Sequence, residues 1–149
     1  CVGLMGTCAR AVHARGGGRV VGVIPDKLVD LELAYHDADE LVVTTSMSDR
    51  KRIMAERADA FIALPGGFGT LEEVMEILVL KQLWYHEKPC VFLNVNDIYD
   101  HLFHFFDTMI KEHFIKESHK EFYHVCVTAE EAYAYLETYV PGPVHGKWF

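Results

Sequence analysis

The sequence is short of positive charge, of paired cysteines and of long apolar runs. Its 149 residues carry 14 Lys and Arg against 22 Asp and Glu, a net charge of −8 with histidine neutral. A surface of that sign repels phosphate backbones, which argues against DNA or RNA as the main partner. No apolar run approaches the ~18 residues of a membrane span, and the stretch at 77–80 is short. No signal-peptide pattern opens the chain. Its four cysteines, Cys1, Cys8, Cys90 and Cys126, form no CxxC pair, so reduced thiols in a soluble, cytoplasmic protein are expected. Also lacking are an initiator Met and a strand ahead of Cys1-Val2-Gly3-Leu4-Met5-Gly6. Open α/β sheets normally begin with a strand, so the expectation is a chain without its βαβ opening.

What is present suits a globular domain. Hydrophobic residues make up 50% and charged residues 24%, an ordinary mixture for a folded core. The length suits a single domain that needs no metal or disulfide staple. Strands are expected at 20–24, 41–45, 60–64, 90–95 and 123–127, where apolar and β-branched residues run together. Helices are expected at 5–13, from a Ser48 cap to 58, at 70–85, at 98–114, and at 129–139 behind a Thr128 cap. The helix at 70–85 has the clearest stripe: Leu71, Val74, Met75, Leu78 and Val79. Phe103, Phe105, Phe106 and Phe114 read as packing residues of their helix. Strands alternating with helices imply parallel pairing through right-handed crossovers. The expected fold is α/β, a Rossmann-like three-layer sandwich with a mostly parallel sheet, over residues 1–140. Pro141-Gly142-Pro143 then releases a mobile tail at 141–149. Such sheets bind ligands beyond the carboxyl ends of their strands, in the strand-to-helix loops.

One such loop stands out: Leu64-Pro65-Gly66-Gly67-Phe68-Gly69-Thr70-Leu71-Glu72-Glu73. A buried strand runs into a glycine-rich turn and then a helix. The glycines let the backbone approach a ligand and aim its N–H groups at one point. The helix N-terminus adds positive dipole and Thr70 a hydroxyl, which together describe a phosphate cradle. No Gly-Lys-Ser/Thr follows, so it is not a Walker A loop, and the GxGxxG spacing is absent. A tight turn with Thr70 and Glu73 as a capping box explains the same residues structurally, and both readings can hold.

The second feature is Met47-Ser48-Asp49-Arg50-Lys51-Arg52. Residues 47–57 carry a net charge of +2 on a chain of net −8, a positive island suited to a small anion. Arg50 shares a helical stripe with Met47 and Met54, the side that faces the sheet, where a guanidinium needs a partner. A solvated basic helix with Arg50 in a structural ion pair is the other reading, and Lys51 and Arg52 suit plain surface charges. His101 and His104 lie one turn apart among Asp97, Asp100 and Asp107. Solvated side chains explain them, so no metal site is expected.

The two motifs at this spacing resemble the Lonely Guy (LOG) family, also labelled lysine decarboxylase-like. The likeness extends over Gly3-Leu4-Met5-Gly6, Val21-Gly22-Val23-Ile24-Pro25, Gln82-Leu83 and Leu93-Asn94-Val95. It implies a phosphoribohydrolase that cleaves the N-glycosidic bond of N6-modified AMP or AMP, releasing the base and ribose 5-phosphate without a cofactor. It also implies a homodimer or larger homo-oligomer. Carried over, Arg50 and Glu73 match the catalytic pair. Gly66, Gly67, Phe68, Gly69, Thr70 and Leu71 match the phosphate and ribose loop, and Lys51 and Glu32 match substrate contacts. Ser48 stands where the family usually has His, and Val79 where Thr is common. The family's opening strand, helix and strand, with a Ser-rich loop, have no counterpart here; roughly fifty residues would be needed.

Two competitors share the architecture. A nucleotide or molybdenum-cofactor carrier has the glycine loop but needs no Arg/Glu pair. A pyridoxal-phosphate decarboxylase would place its phosphate in the loop but needs a Schiff-base lysine and a pyridinium partner. Lys51 is the only lysine near the motifs, with no partner evident.

Overall fold

The structure, a computed structural model, describes residues 3–29 and 34–142. The chain divides into two compact units, Cys1–Ala58 and Asp59–Phe149. Each is built of parallel strands joined by helices, the Rossmann-like α/β arrangement.

The first unit runs through α1 (Gly3–Arg15), β1 (Val21–Pro25), the single turn α2 (Asp26–Val29), β2 (Glu40–Thr44) and α3 (Met47–Arg57). β1 and β2 pair in parallel from Val21 opposite Glu40 to Pro25 opposite Thr44. Gly16 ends α1 in the left-handed region (φ +74°), with its amide donating to the carbonyl of Val12 at 3.1 Å. Such a backbone strains any residue with a Cβ. The expected Ser48 cap is corrected: Ser46 caps α3, and its hydroxyl accepts from the Asp49 amide at 3.0 Å. The Asp49 carboxylate in turn accepts from the Ser46 hydroxyl at 2.8 Å. That reciprocal pair closes only at three-residue spacing, which Ser46 has and Ser48 lacks. Hydrogen bonds from the hydroxyls of Ser46 and Thr45 hold the Asp49 carboxyl below its ordinary range.

The second unit contains β3 (Phe61–Ala63), α4 (Phe68–Gln82), β4 (Cys90–Leu93), α5 (Asp100–Lys111), β5 (His124–Cys126) and α6 (Ala129–Thr138). Its sheet has the order β3-β4-β5, all parallel, with Phe61 opposite Cys90 and Val91 opposite His124. The central strand β4 is buried on both faces. Cys90 and Phe92 point into a core with Val74, Ile77 and Leu78 of α4 and Leu102 and Phe103 of α5. Val91 and Leu93 point the other way, against Ala132, Tyr135 and Leu136 of α6. Helix, sheet and helix therefore form three layers within this unit. Phe92 anchors the first core, its ring edge-on to Tyr99, Phe103 and Tyr123 at 5.2, 5.4 and 5.5 Å. Truncating such a side chain to Ala costs about 3–5 kcal/mol.

Two expectations about helix faces are corrected. Phe103 and Phe106 pack on the core, but Phe105 and Phe114 are exposed, because Phe105 projects from the opposite side of α5 and Phe114 lies beyond its end. Val79 is also exposed, while Ile77 takes a place on the buried side. Conversely Lys81, a residue type that usually seeks solvent, is buried. Its ammonium donates to the Lys88 carbonyl at 3.0 Å and the Tyr139 hydroxyl at 3.1 Å, which ties the end of α4 to the start of β4 and the end of α6. No helix among the described residues is long and apolar enough to cross a membrane. Glu32 and residues 143–149 of the expected tail lie outside the described residues.

Candidate functional site

The glycine-rich loop connects the carboxyl end of β3 to α4, where parallel sheets present their ligand sites. The capping-box reading of Thr70 is corrected here. α4 starts at Phe68, two residues earlier than the periodicity suggests, with Gly67 as its cap (φ −101°, ψ −150°) and no side-chain cap bond. Thr70 is thus inside the first turn, and Glu73 stands on the second turn, half-buried, not at a capping position. The first bond back into the helix runs from the Leu71 amide to the Gly67 carbonyl at 3.1 Å. The amides of Phe68, Gly69 and Thr70 therefore have no acceptor within the helix. No acidic residue lies in this first turn, so nothing in it offsets the positive end of the helix dipole.

The glycines do different jobs. A Cβ on Gly66 would lie 2.1 Å from the Thr70 Oγ1 and 2.8 Å from its Cβ. Thr70 thus closes over Gly66, and no other residue type fits there without displacing the turn. A Cβ on Gly67 or Gly69 would meet nothing within 4 Å. Among the described residues their bareness serves no packing need, and it leaves the helix end open to an incoming group. Phe68 extends from the same loop with 93% of its surface exposed. Leu71 turns inward and packs on the core, which anchors the loop to the sheet.

On the sheet side the loop meets Tyr99, in the connection that follows β4. The Tyr99 hydroxyl donates to the Leu64 carbonyl at 2.5 Å. Burial raises the Tyr99 phenol above its usual range, partly opposed by a hydrogen bond from the Gly66 backbone. Sequence reasoning missed this residue. Its position in the loop that follows a strand's carboxyl end was the available signal.

In the first unit, Arg50 is 8% exposed, as the stripe with Met54 requires, and its Nε donates to the Val23 carbonyl of β1 at 3.0 Å. Met47 on the same stripe is exposed, because the stripe's first residue lies at the helix end. Lys51 is half-buried and Arg52 exposed. Arg52 pairs with Glu56 at 2.9 Å, the surface role expected of it. Arg50 and Lys51 therefore belong to the first unit, and Gly66 to Leu71 with Glu73 to the second. Among the described residues no group of three His, Cys, Asp or Glu side chains is placed to hold a metal ion. Lys81 is no partner for the loop within the second unit: thirteen residues of helix from Phe68 amount to about 20 Å.

Fold and loop together define a parallel α/β protein with an open, glycine-rich turn at a helix N-terminus. Comparison with known proteins places it further. A family model described as "Possible lysine decarboxylase" matches residues 5–136. The chain is 45% identical over 142 residues to "Probable cytokinin riboside 5'-monophosphate phosphoribohydrolase LOGL5" of Oryza sativa subsp. japonica, covering 95% of this chain and 57% of the relative. It is 41% identical over 140 residues to "Cytokinin riboside 5'-monophosphate phosphoribohydrolase LOG5" of Arabidopsis thaliana, covering 94% and 61%. It is 44% identical over 140 residues to "Cytokinin riboside 5'-monophosphate phosphoribohydrolase LOG" of Oryza sativa subsp. japonica, covering 94% and 57%. The chain belongs to this family, that of the LOG proteins. It spans 57–61% of the length of these three relatives.

Proposed function

We propose that the protein hydrolyses the N-glycosidic bond of adenosine 5'-monophosphate, with or without an N6 substituent, to the free base and ribose 5-phosphate. The observation that carries this reading is the α4 N-terminus: three amides without an intrahelical acceptor, no acid in the first turn, and open space at Gly67 and Gly69. A dianionic phosphate suits that site. The names of the relatives support the same substrate class and reaction.

In this mechanism the 5'-phosphate binds at 67–70 and supplies binding energy remote from the reacting carbon, which fixes the ribose for reaction. The bond between C1' and the base nitrogen breaks heterolytically. Its electron pair leaves with the base, which takes up a proton, and water adds to the oxocarbenium-like C1'. Glu73 is the half-buried acid of the second α4 turn, beside the exposed Glu72. Its carboxylate stabilises the positive sugar and orients the water, taking up the proton the water sheds. Arg50 contributes positive charge that favours departure of the base. Lys51 and Glu32 act as substrate contacts, and Thr70 offers its hydroxyl beside the phosphate. The protein works as a cytoplasmic homodimer or larger homo-oligomer.

The test is product identity. Incubation with AMP and with an N6-isopentenyl analogue should release adenine or the modified base together with ribose 5-phosphate. Tight nucleotide binding without any free base would replace hydrolysis by a carrier role.

A further inference from the structure

The phosphate loop is held from two sides. On the helix side Thr70 closes over Gly66, so tightly that a Cβ there would sit 2.1 Å from its Oγ1. On the sheet side a chain of hydrogen bonds crosses the carboxyl ends of the strands. It starts at β5, where the Cys126 carbonyl accepts from the Asn94 amide at 2.7 Å. The Asn94 side chain then accepts from the Tyr99 amide at 2.7 Å and donates to the Asp100 carboxylate at 2.8 Å. The turn between Asn94 and Tyr99 is tight enough to put two consecutive non-glycine residues, Asn96 (φ 54°) and Asp97 (φ 58°), in the left-handed region. Backbone of that kind persists only where the surroundings over-determine it. What the turn accomplishes is to seat Tyr99, 3% exposed, with its ring against Phe92 and Phe103 and its hydroxyl on the loop.

We infer that Tyr99 is a positioning residue of the phosphate loop: its hydroxyl, bonded to the Leu64 carbonyl, fixes the direction in which the amides of residues 67–70 point. The inference rests on the reading of that loop as a phosphate site. Amide donors stabilise an anion only when they converge on it, so small displacements of a preorganised site are costly. The ring's packing accounts for the fold in its vicinity. The hydroxyl is superfluous to that packing and is spent on the loop. Asn94 acts one step further back, by setting where Tyr99 sits.

Tyr99→Phe in the full chain tests this, since the ring and its packing stay. Amide hydrogen exchange at Gly66 and Leu71, the loop amides that hold hydrogen bonds, should quicken at least ~10-fold, while the buried turns of α4 from Val74 onward follow global stability alone. KM for AMP and the dissociation constant for inorganic phosphate should rise roughly tenfold, with kcat within about threefold. A purely structural tyrosine would lower protection throughout the unit and leave KM where it was; that result, or unchanged exchange at Gly66 and Leu71, overturns the inference. Asn94→Ser should shift the same two readouts in the same direction, and it keeps the test open should Tyr99→Phe not fold. Absence of phosphate and AMP binding in the unaltered protein would instead remove the phosphate-site reading, with loop exchange still deciding whether Tyr99 fixes the turn.

Discussion

Thr70 occupies the space in which a side chain at Gly66 would have to lie, with its Oγ1 2.1 Å and its Cβ 2.8 Å from that position. Because the Thr70 Cβ itself is in the way, a change of rotamer brings no relief. Turn and helix start are therefore one packed unit, whereas Gly67 and Gly69 look onto open space.

That contrast separates stability from binding. Gly66→Ala should destabilise the fold by about 1–3 kcal/mol through overpacking and also weaken AMP binding. Gly67→Ala meets no atom within 4 Å and should leave stability within about 0.5 kcal/mol. It should still lower AMP affinity at least ~10-fold, because its methyl projects where the ligand approaches. Thermal unfolding and calorimetric titration of both variants check this; equal AMP affinity in Gly67→Ala and the unaltered protein would count against a phosphate at these amides.

Glu73 stands on the second turn of α4, half-buried, six residues beyond the cap at Gly67. Glu73→Gln keeps the size of the side chain and removes the charge. Turnover of AMP should fall at least ~10²-fold, with AMP affinity altered only a few-fold. Parallel steady-state and titration data decide it. Retained turnover would remove Glu73 from the chemistry.

Alkaline stability should report on Cys90. Burial pushes its thiol up to about 12 from an ordinary 9.0. Below pH 9 folded and unfolded chains both keep the proton. Between pH 9 and about 12 the unfolded chain loses it and the folded chain keeps it, so rising pH favours unfolding. The slope is at most about 1.4 kcal/mol per pH unit for one such proton. Burial raises Cys126, Tyr99, Tyr123 and Tyr135 in the same direction, so the unaltered protein should lose stability steeply. Cys90→Ala should flatten the dependence by about one proton without abolishing it. Denaturant melts at pH 7.5, 9 and 10.5 measure the difference, and identical slopes would place the Cys90 thiol in water.

Much of this architecture was legible because its causes are local. The Thr128 cap of α6, bonded to the Glu131 amide at 3.2 Å, follows from side chains three residues apart. β4 reads as a strand from its apolar run, and it is one, whereas the apolar run of β1, which suggests burial on both faces, is only partly buried. The stripe that turned Arg50 toward the sheet is also a local pattern. The misreadings have physical reasons. Phe68 and Gly69 start α4 despite the poor helix propensity of glycine, so the cap was placed at Thr70. Lys81 was unreadable as a buried residue because its acceptors, at Lys88 and Tyr139, lie 7 and 58 positions away. Tyr99 was missed for the same cause, its partner Leu64 being 35 positions distant.

The most direct measurement is the specificity of the unaltered protein for AMP over adenosine, followed as release of free adenine. If remote binding energy from the 5'-phosphate at residues 67–70 drives the reaction, kcat/KM for adenosine should be lower by at least ~10³-fold. Equal turnover of adenosine and AMP would contradict the role of the glycine loop, however fast the base is released.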